Sequence, residues 1–260
     1  MCVPRSSNPR RKDQAKKSDQ MVLLRHPEQG VARLSGWLRS IMPASCVLCS
    51  ATANDQGLCE GCLASLPAAT GSRCPVCASQ TPNASICGRC IRRPPRYDGV
   101  ISALDYVTPV DFLVAELKYS RILAAARALA SALASRLENE ARPDIIVPMP
   151  IADSRLRERG FNQAIEIARH ACAPFGVRLS HGIAQRVCAG ISQTALPWSD
   201  RTRNVRNAFR CQADLKGKTV AVVDDVITTG ATLNELATAL KRAGAARVVG
   251  WIVARTPLQR

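Results

Sequence analysis

At 260 residues the chain has room for one ordinary α/β domain plus a small module, and no apolar run approaches the ~20 residues of a membrane span. A formal charge of +16 favours an anionic partner, either nucleic acid or a phosphorylated ligand. Twelve cysteines could suggest secreted disulfides, but no apolar leader core accompanies the basic start, and eight of the twelve stand in Cys-x-x-Cys pairs. Metal ligation in a cytoplasmic protein is the expectation.

Residues 1–30 read as a disordered basic tail. Arg5, Arg10, Arg11, Lys12, Lys16 and Lys17 stand among Ser, Asn and Gln with almost nothing to bury, and Met21 is a second candidate start. In residues 31–45, Val31, Leu34, Trp37, Leu38 and Ile41 fall on one face of a short amphipathic helix that Pro43 ends. Residues 46–96 carry Cys46/Cys49, Cys59/Cys62, Cys74/Cys77 and Cys87/Cys90, with nine residues between the pairs of each half. A Cys-x-x-Cys turn puts two thiolates on one side of a knuckle, and two knuckles close a tetrahedral site. The repeat predicts two structural zinc ions in a double zinc ribbon. Sequential pairing is the simplest arrangement, and a cross-braced one stays open. Redox chemistry would not need four copies. The ribbon ends in Arg92-Arg93-Pro94-Pro95-Arg96, a stiff basic linker.

Residues 97–260 alternate strand and helix patterns, the mark of a parallel α/β sheet. Strands are predicted over 99–106, 144–147, 183–187, 219–223 and 247–255. Helices are predicted over 109–118 and 122–137, from 163 through Ile165, Ile167, Ala168 and Cys172, and over 201–209. Pro148-Met149-Pro150 must turn, residues 188–200 are loop-like, and Arg155, Arg157 and Arg159 form a basic stretch. His26, His170 and His181 match no motif.

The most informative stretch is Thr219-Val-Ala-Val-Val-Asp-Asp-Val-Ile-Thr-Thr-Gly-Ala-Thr232. Five non-alternating apolar or β-branched residues suit a strand buried on both faces. It ends in Asp224 and Asp225. A turn of small and hydroxyl residues follows, Thr228, Thr229, Gly230, Ala231 and Thr232, and then a helical pattern through Leu233, Leu236, Ala237 and Leu240 to Gly244. A loop at the carboxyl end of such a strand is where open α/β sheets bind ligands. The helix start suits a phosphate monoester, Gly230 permits close backbone approach, and the threonine hydroxyls can donate to phosphate oxygens. Two carboxylates would repel that phosphate and instead suit a ribose diol or a Mg²⁺ ion that neutralises a second anionic group. The stretch resembles the phosphoribosyl pyrophosphate (PRPP) signature of type I phosphoribosyltransferases.

Taken together, the four cysteine pairs, Leu117-Lys118-Tyr119, Val147-Pro-Met-Pro150, Arg159-Gly-Phe-Asn-Gln163, Gln193 with Leu196, Arg201-x-x-Asn204-Val205 through Phe209, and Val223–Thr232 resemble the ComF family over residues 40–257. The resemblance implies a type I phosphoribosyltransferase-like parallel-sheet domain carrying a small N-terminal double zinc ribbon. It places Pro148 and Met149 in the pyrophosphate loop, with Arg159 and Gln163 nearby, and Gln193 and Arg201 in a covering lid. Cys188-Ala-Gly-Ile191 departs from the family by lacking the Arg and Thr usual just ahead of that Gln. If the site turns over, the implied reaction is displacement at C1 of PRPP with loss of pyrophosphate, helped by Mg²⁺. Asp224 and Asp225 are then the catalytic pair and 228–232 the phosphate cradle. The family is also linked to natural transformation, which implies single-stranded DNA and a DNA-uptake helicase as partners and leaves binding without turnover open. Aromatic residues make up only 4% of the chain, few for stacking bases.

Overall fold

Two long strands, β5 (Thr219–Ile227) and β6 (Arg247–Arg255), form the middle of the sheet because neither has a polar face. They pair in parallel along their lengths. β1 (Gly99–Asp105) flanks β6 and β2 (Ile145–Pro148) flanks β5, giving the order β1-β6-β5-β2. β3 (Ala184–Arg186) and β4 (Phe209–Cys211) make a separate antiparallel pair. In this computed structural model residues 44–187 and 207–257 are described, and all but Ala44 belong to one unit, Ser45–Arg260. The predicted tail, the amphipathic helix up to Pro43, the lid 188–200 and residues 201–206 lie outside the described residues.

Alternation along β5 divides the core in two. Ala221 and Val223 join α4 (Leu123–Leu137) and α6 (Gln163–Ala171) on one face, and Val220 and Val222 join α7 (Ala231–Arg242) on the other. Ala125, Ala126, Ala128 and Ala130 of α4 are fully buried, so the run of small side chains lets that helix lie close to its neighbours. Gly250 does the same for α7: a Cβ there would stand 2.7 Å from Leu233 Cδ2.

The ribbon is built into this core. It holds two short helices, α1 (Glu60–Ala64) and α2 (Gly88–Arg92). Cys46 and Leu58 belong to the α4 face, whereas Ala78 and Tyr97, the first residue after the linker, belong to the α7 face. Between the knuckles the chain runs antiparallel to the outer edge of β1. Ala69 N–H donates to Ala103 O and Asp105 N–H donates to Pro67 O, both at 2.8 Å.

Three local expectations need correction. β5 runs four residues past Val223, to Ile227, because β6 pairs with it that far. The predicted helix 201–209 does not reach its end: Asn207 is in a turn and Phe209 opens β4, paired across to Arg186. Asp153–Arg159, read only as a basic stretch, is a helix, α5, closed by Gly160 at φ +82°.

Candidate functional site

The longer β5 places Asp224 and Asp225 inside the strand, not in the loop after it. Each uses one oxygen to fix local backbone. Asp224 Oδ1 accepts from Asp225 N–H at 2.9 Å, and Asp225 Oδ1 accepts from Val226 N–H at 2.8 Å. Asp225 is buried; Asp224 leaves part of its surface exposed, but its carboxyl end is enclosed by the surrounding protein. Burial, and next to it the adjacent Asp225 charge, holds the Asp224 carboxyl well above the usual carboxylate range.

Three residues later the strand gives way to Thr228, Thr229 and Gly230, and α7 begins at Ala231 rather than at Leu233. Gly230 sits at φ +78°, and a Cβ there would meet the Tyr97 hydroxyl at 2.8 Å. Thr229 Oγ1 accepts from Ala231 N–H at 3.1 Å, which shapes the turn and leaves the threonine O–H able to donate. Ala231 and Thr232 form the first turn of a 12-residue helix, whose early N–H groups carry the positive end of its dipole. The turn can therefore take an anion, and the acidic pair just ahead of it can take hydroxyls or a hydrated cation.

A residue with no assigned role in the sequence reading completes the site. Lys118 Nζ lies 2.6 Å from Asp225 Oδ2, with side-chain exposures of 20% and 5%. Burial opposes the lysine charge, and the facing Asp225 carboxylate outweighs it, so the Lys118 pKa is raised. Lys118 reaches this position from a π-helical turn, Glu116–Ser120, which continues α3 (Val110–Ala115) and ends at Arg121 with φ +59°. Widened turns of this kind often mark functional sites, and a left-handed arginine is uncommon backbone. The motif Leu117-Lys118-Tyr119 was legible; its partner more than a hundred residues away was not.

The proline turn lies beside the acidic pair. Pro148 pairs with Val223 in the ladder, and Met149 N–H donates to Val223 O at 2.8 Å. Met149 is buried, and its carbonyl accepts from Asn162 Nδ2 at 3.0 Å. Asn162 also caps α6, accepting from Ala164 N–H at 2.9 Å, so one side chain ties the turn to the helix start. Arg159 Nη1 donates to the buried Gln163 at 3.2 Å, and its guanidinium stacks over Tyr119 at 5.6 Å, next to Lys118. Arg121 Nη2 donates to Glu158 O at 2.9 Å, which ties the π-turn to the end of α5. Arg155 pairs on the surface with Glu158, and Arg157 is exposed. Of the arginine triplet, only Arg159 is tied to the site. Gln193 and Arg201 lie outside the described residues.

The cysteines form two sets, Cys46/Cys49/Cys59/Cys62 and Cys74/Cys77/Cys87/Cys90, with the four sulfurs of each within 4.8 Å of one another. Pairing is sequential. None of the eight is in a disulfide. A tetrahedral zinc with sulfurs at ~2.3 Å separates them by ~3.8 Å, and Cys49–Cys59 and Cys77–Cys87 stand at 3.6 Å. Burial opposes ionisation of Cys77, yet hydrogen bonds from Ser79 bring it down to about 6. Cys46, where backbone hydrogen bonds outweigh burial, also falls to about 6. Their neighbours in the same sets shift the other way: Cys62 is pushed up to about 12, mainly by the facing Cys49 and Cys59 thiols, and burial pushes Cys90 up. It is the all-sulfur composition and the tetrahedral spacing that fit structural zinc.

The pattern of a double zinc ribbon domain matches residues 37–91, and that of a phosphoribosyl transferase domain matches residues 119–257. The chain is 35% identical to the DNA utilization protein YhgH of Salmonella typhimurium, over 83% of this chain and 98% of that protein. It is 32% identical to Competence protein F of Haemophilus influenzae, over 76% and 90%. With Competence protein ComFC of Bacillus subtilis the identity is 27%, over 75% and 82%. No helix among the described residues is long and apolar enough to cross a membrane.

Proposed function

This chain belongs to the ComF family of double-zinc-ribbon, phosphoribosyl transferase-domain proteins, and on that premise we propose that it binds a 5-phosphorylated ribose ligand, PRPP with Mg²⁺ or a nucleotide, in the service of DNA uptake or utilization. One observation carries the reading. An acidic pair near the end of strand β5 is followed within six residues by a Gly-opened helix start, which supports a diol or cation site and a phosphate site within one strand–turn–helix unit.

In this reading Thr228–Thr232 hold the 5′-phosphate, with Thr228 and Thr229 as hydroxyl donors and the α7 terminus as the positive end. Asp224 and Asp225 hold the ribose hydroxyls or the waters of Mg²⁺. The metal would be held by these carboxylates and the ligand's own oxygens, and it would offset pyrophosphate charge. Lys118 pairs with Asp225 and holds its side chain in place. Arg159, stacked on Tyr119, is the arginine placed to reach the pyrophosphate end.

Isothermal titration of PRPP–Mg²⁺ tests this. Wild type should bind, and Asp224→Asn/Asp225→Asn should lose most of the heat. Equal binding by the two proteins would sink the reading.

A second reading, retention of single-stranded DNA, is favoured by Arg92, Arg93 and Arg96, which are all exposed on the linker beside the phosphate helix. Every arginine–phosphate interaction removed by an Arg→Ala change should lower the salt slope by about 0.7. A flat salt profile for wild type removes this reading without touching the first.

A further inference from the structure

Arg255, the last residue of β6, is 1% exposed and spans two parts of the molecule that the sequence keeps far apart. Its Nη1 donates to the carbonyl of Ile227 at 3.0 Å and to that of Thr228, the two residues that lead into the phosphate turn. Its Nη2 donates to Ser79 Oγ at 2.7 Å. Ser79 is itself buried, and its hydroxyl lies 3.2 Å from Sγ of Cys77, a member of the second cysteine set. Thr256 N–H donates to Ile227 O at 3.0 Å and closes the same corner.

Two further interactions run in parallel with this chain. Tyr97, packed with Val76 and Ala78 of the second knuckle, sets its hydroxyl where a Cβ on Gly230 would go. Arg96 N–H donates to Asn234 Oδ1 at 2.7 Å, anchoring the linker to the first turn of α7. The first knuckle faces elsewhere. Its Cys46 and Leu58 pack into the core on the opposite face of the sheet.

Hydrogen-bond polarity gives this relay a direction. A thiol at Cys77 donates to Ser79, which then accepts from two sides. A thiolate at Cys77, the form that zinc binds, accepts the Ser79 O–H, and the serine lone pairs are left for the Arg255 guanidinium. The Ser79 hydroxyl is then satisfied on both sides, by the thiolate and by the Arg255 Nη2 donor, while Arg255 Nε makes no hydrogen bond among the described residues. Four thiolates around one zinc also supply the negative charge that a buried arginine requires.

We propose that the second cysteine set, through Ser79 and Arg255, holds the phosphate turn in its binding shape, so that zinc at Cys74/Cys77/Cys87/Cys90 is required for ligand affinity while zinc at Cys46/Cys49/Cys59/Cys62 serves only the fold. Arg255 and Ser79 are thus positioning residues that act through the carbonyls of Ile227 and Thr228. The consequence for affinity rests on the binding reading above; the consequence for the turn does not.

The test uses the full chain, with deuterium exchange of the 226–233 peptide, zinc content and PRPP–Mg²⁺ affinity measured on each variant. Ser79→Ala should keep two zinc ions per chain, raise exchange in that peptide, and weaken affinity by about three- to tenfold, the range expected for the loss of one hydrogen bond. Arg255→Met should do the same more strongly. Cys90→Ser should lose one zinc ion and loosen the peptide, whereas Cys49→Ser should lose one zinc ion and raise exchange around 46–62 without changing 226–233. Unchanged exchange of 226–233 in Ser79→Ala, which leaves all eight ligands in place, overturns the proposal. So does an equal rise in Cys49→Ser. If wild type binds no PRPP, the binding reading fails while the exchange arms still decide the coupling.

Discussion

Replacing Lys118 by methionine removes the cation that faces Asp225 while keeping most of the side chain's bulk. The two charges are 2.6 Å apart, the carboxylate is 5% exposed, and the lysine side chain is 20% exposed. At an effective dielectric of ~20, a unit pair at that separation attracts by roughly 6 kcal/mol before desolvation is counted. Desolvation of both groups removes much of that gain, so the intact pair contributes little net stability. Removing one partner is different, because the other stays buried without compensation, a change that costs about 3–5 kcal/mol at fully buried sites. Partial exposure of the lysine stem puts Lys118→Met near the lower end, about 3 kcal/mol. Asp224 makes the loss worse, since a second carboxylate then adjoins the first with no cation beside it. Urea denaturation at pH 7 measures this directly, and Asp225→Asn in the Lys118→Met background should recover most of it. Added Mg²⁺ should stabilise Lys118→Met more than wild type. A variant within about 1 kcal/mol of wild type, or one that the second substitution does not rescue, refutes the account of Lys118 as the counter-charge of the pair.

Asp224→Asn should stabilise the folded chain near neutral pH even as it weakens ligand binding. The carboxyl is held well above its ordinary pKa by burial and then by Asp225. A raised folded pKa means that the native state holds the proton more tightly than the unfolded chain. Its stability is therefore full below pH ~4 and is lost as pH rises through the native value. Melting temperature followed from pH 5 to 8 should fall more steeply for wild type than for Asp224→Asn, and parallel curves would count against this. Gly230→Ala should destabilise by about 1–2 kcal/mol from the left-handed backbone alone. A further loss should come from displacing Tyr97, and PRPP–Mg²⁺ affinity should drop with it. Unchanged stability and affinity would mean that the turn relaxes freely.

The strand, turn and helix that carry the proposed site were readable in the sequence because their determinants are local. A non-alternating β-branched run, two acids, a glycine and a helical period all fall within 219–244, and the structure needed only to extend the strand along its β6 pairing. The cysteine sets were readable for the same reason: a knuckle's ligand spacing is short and repeats. Helix α5 was missed because Leu156 is the only large apolar residue between Asp153 and Arg159, too few to show a period. Lys118 and Arg255 belong to a third kind. Lys118 looked like one more polar residue at a helix end, and Arg255 like the charged terminus of a strand. Their partners, Asp225 and Ser79, lie 107 and 176 residues away. No periodicity or spacing rule reports a pairing of that range.

The ribbon's place in the fold follows from the sheet it meets. With four parallel strands among the described residues, in the order β1-β6-β5-β2, β1 would leave a row of unpaired backbone groups at its edge, the feature that invites association with another strand. The segment between the knuckles occupies that edge through Ala69 and Pro67, and the knuckles then extend over opposite faces. An edge-pairing segment fixes where each knuckle must lie, one under α4 and the other against Tyr97 and α7. Of the two knuckles, it is the second that is linked to the turn ahead of α7, through Cys77, Ser79 and Arg255. Two cysteine sets with the same ligand spacing are thereby given different surroundings, the α4 core on one face and Tyr97 with the Gly230 turn on the other. The asymmetry arises from the sheet and not from the cysteines, whose repeat makes the two sites look equivalent in the sequence.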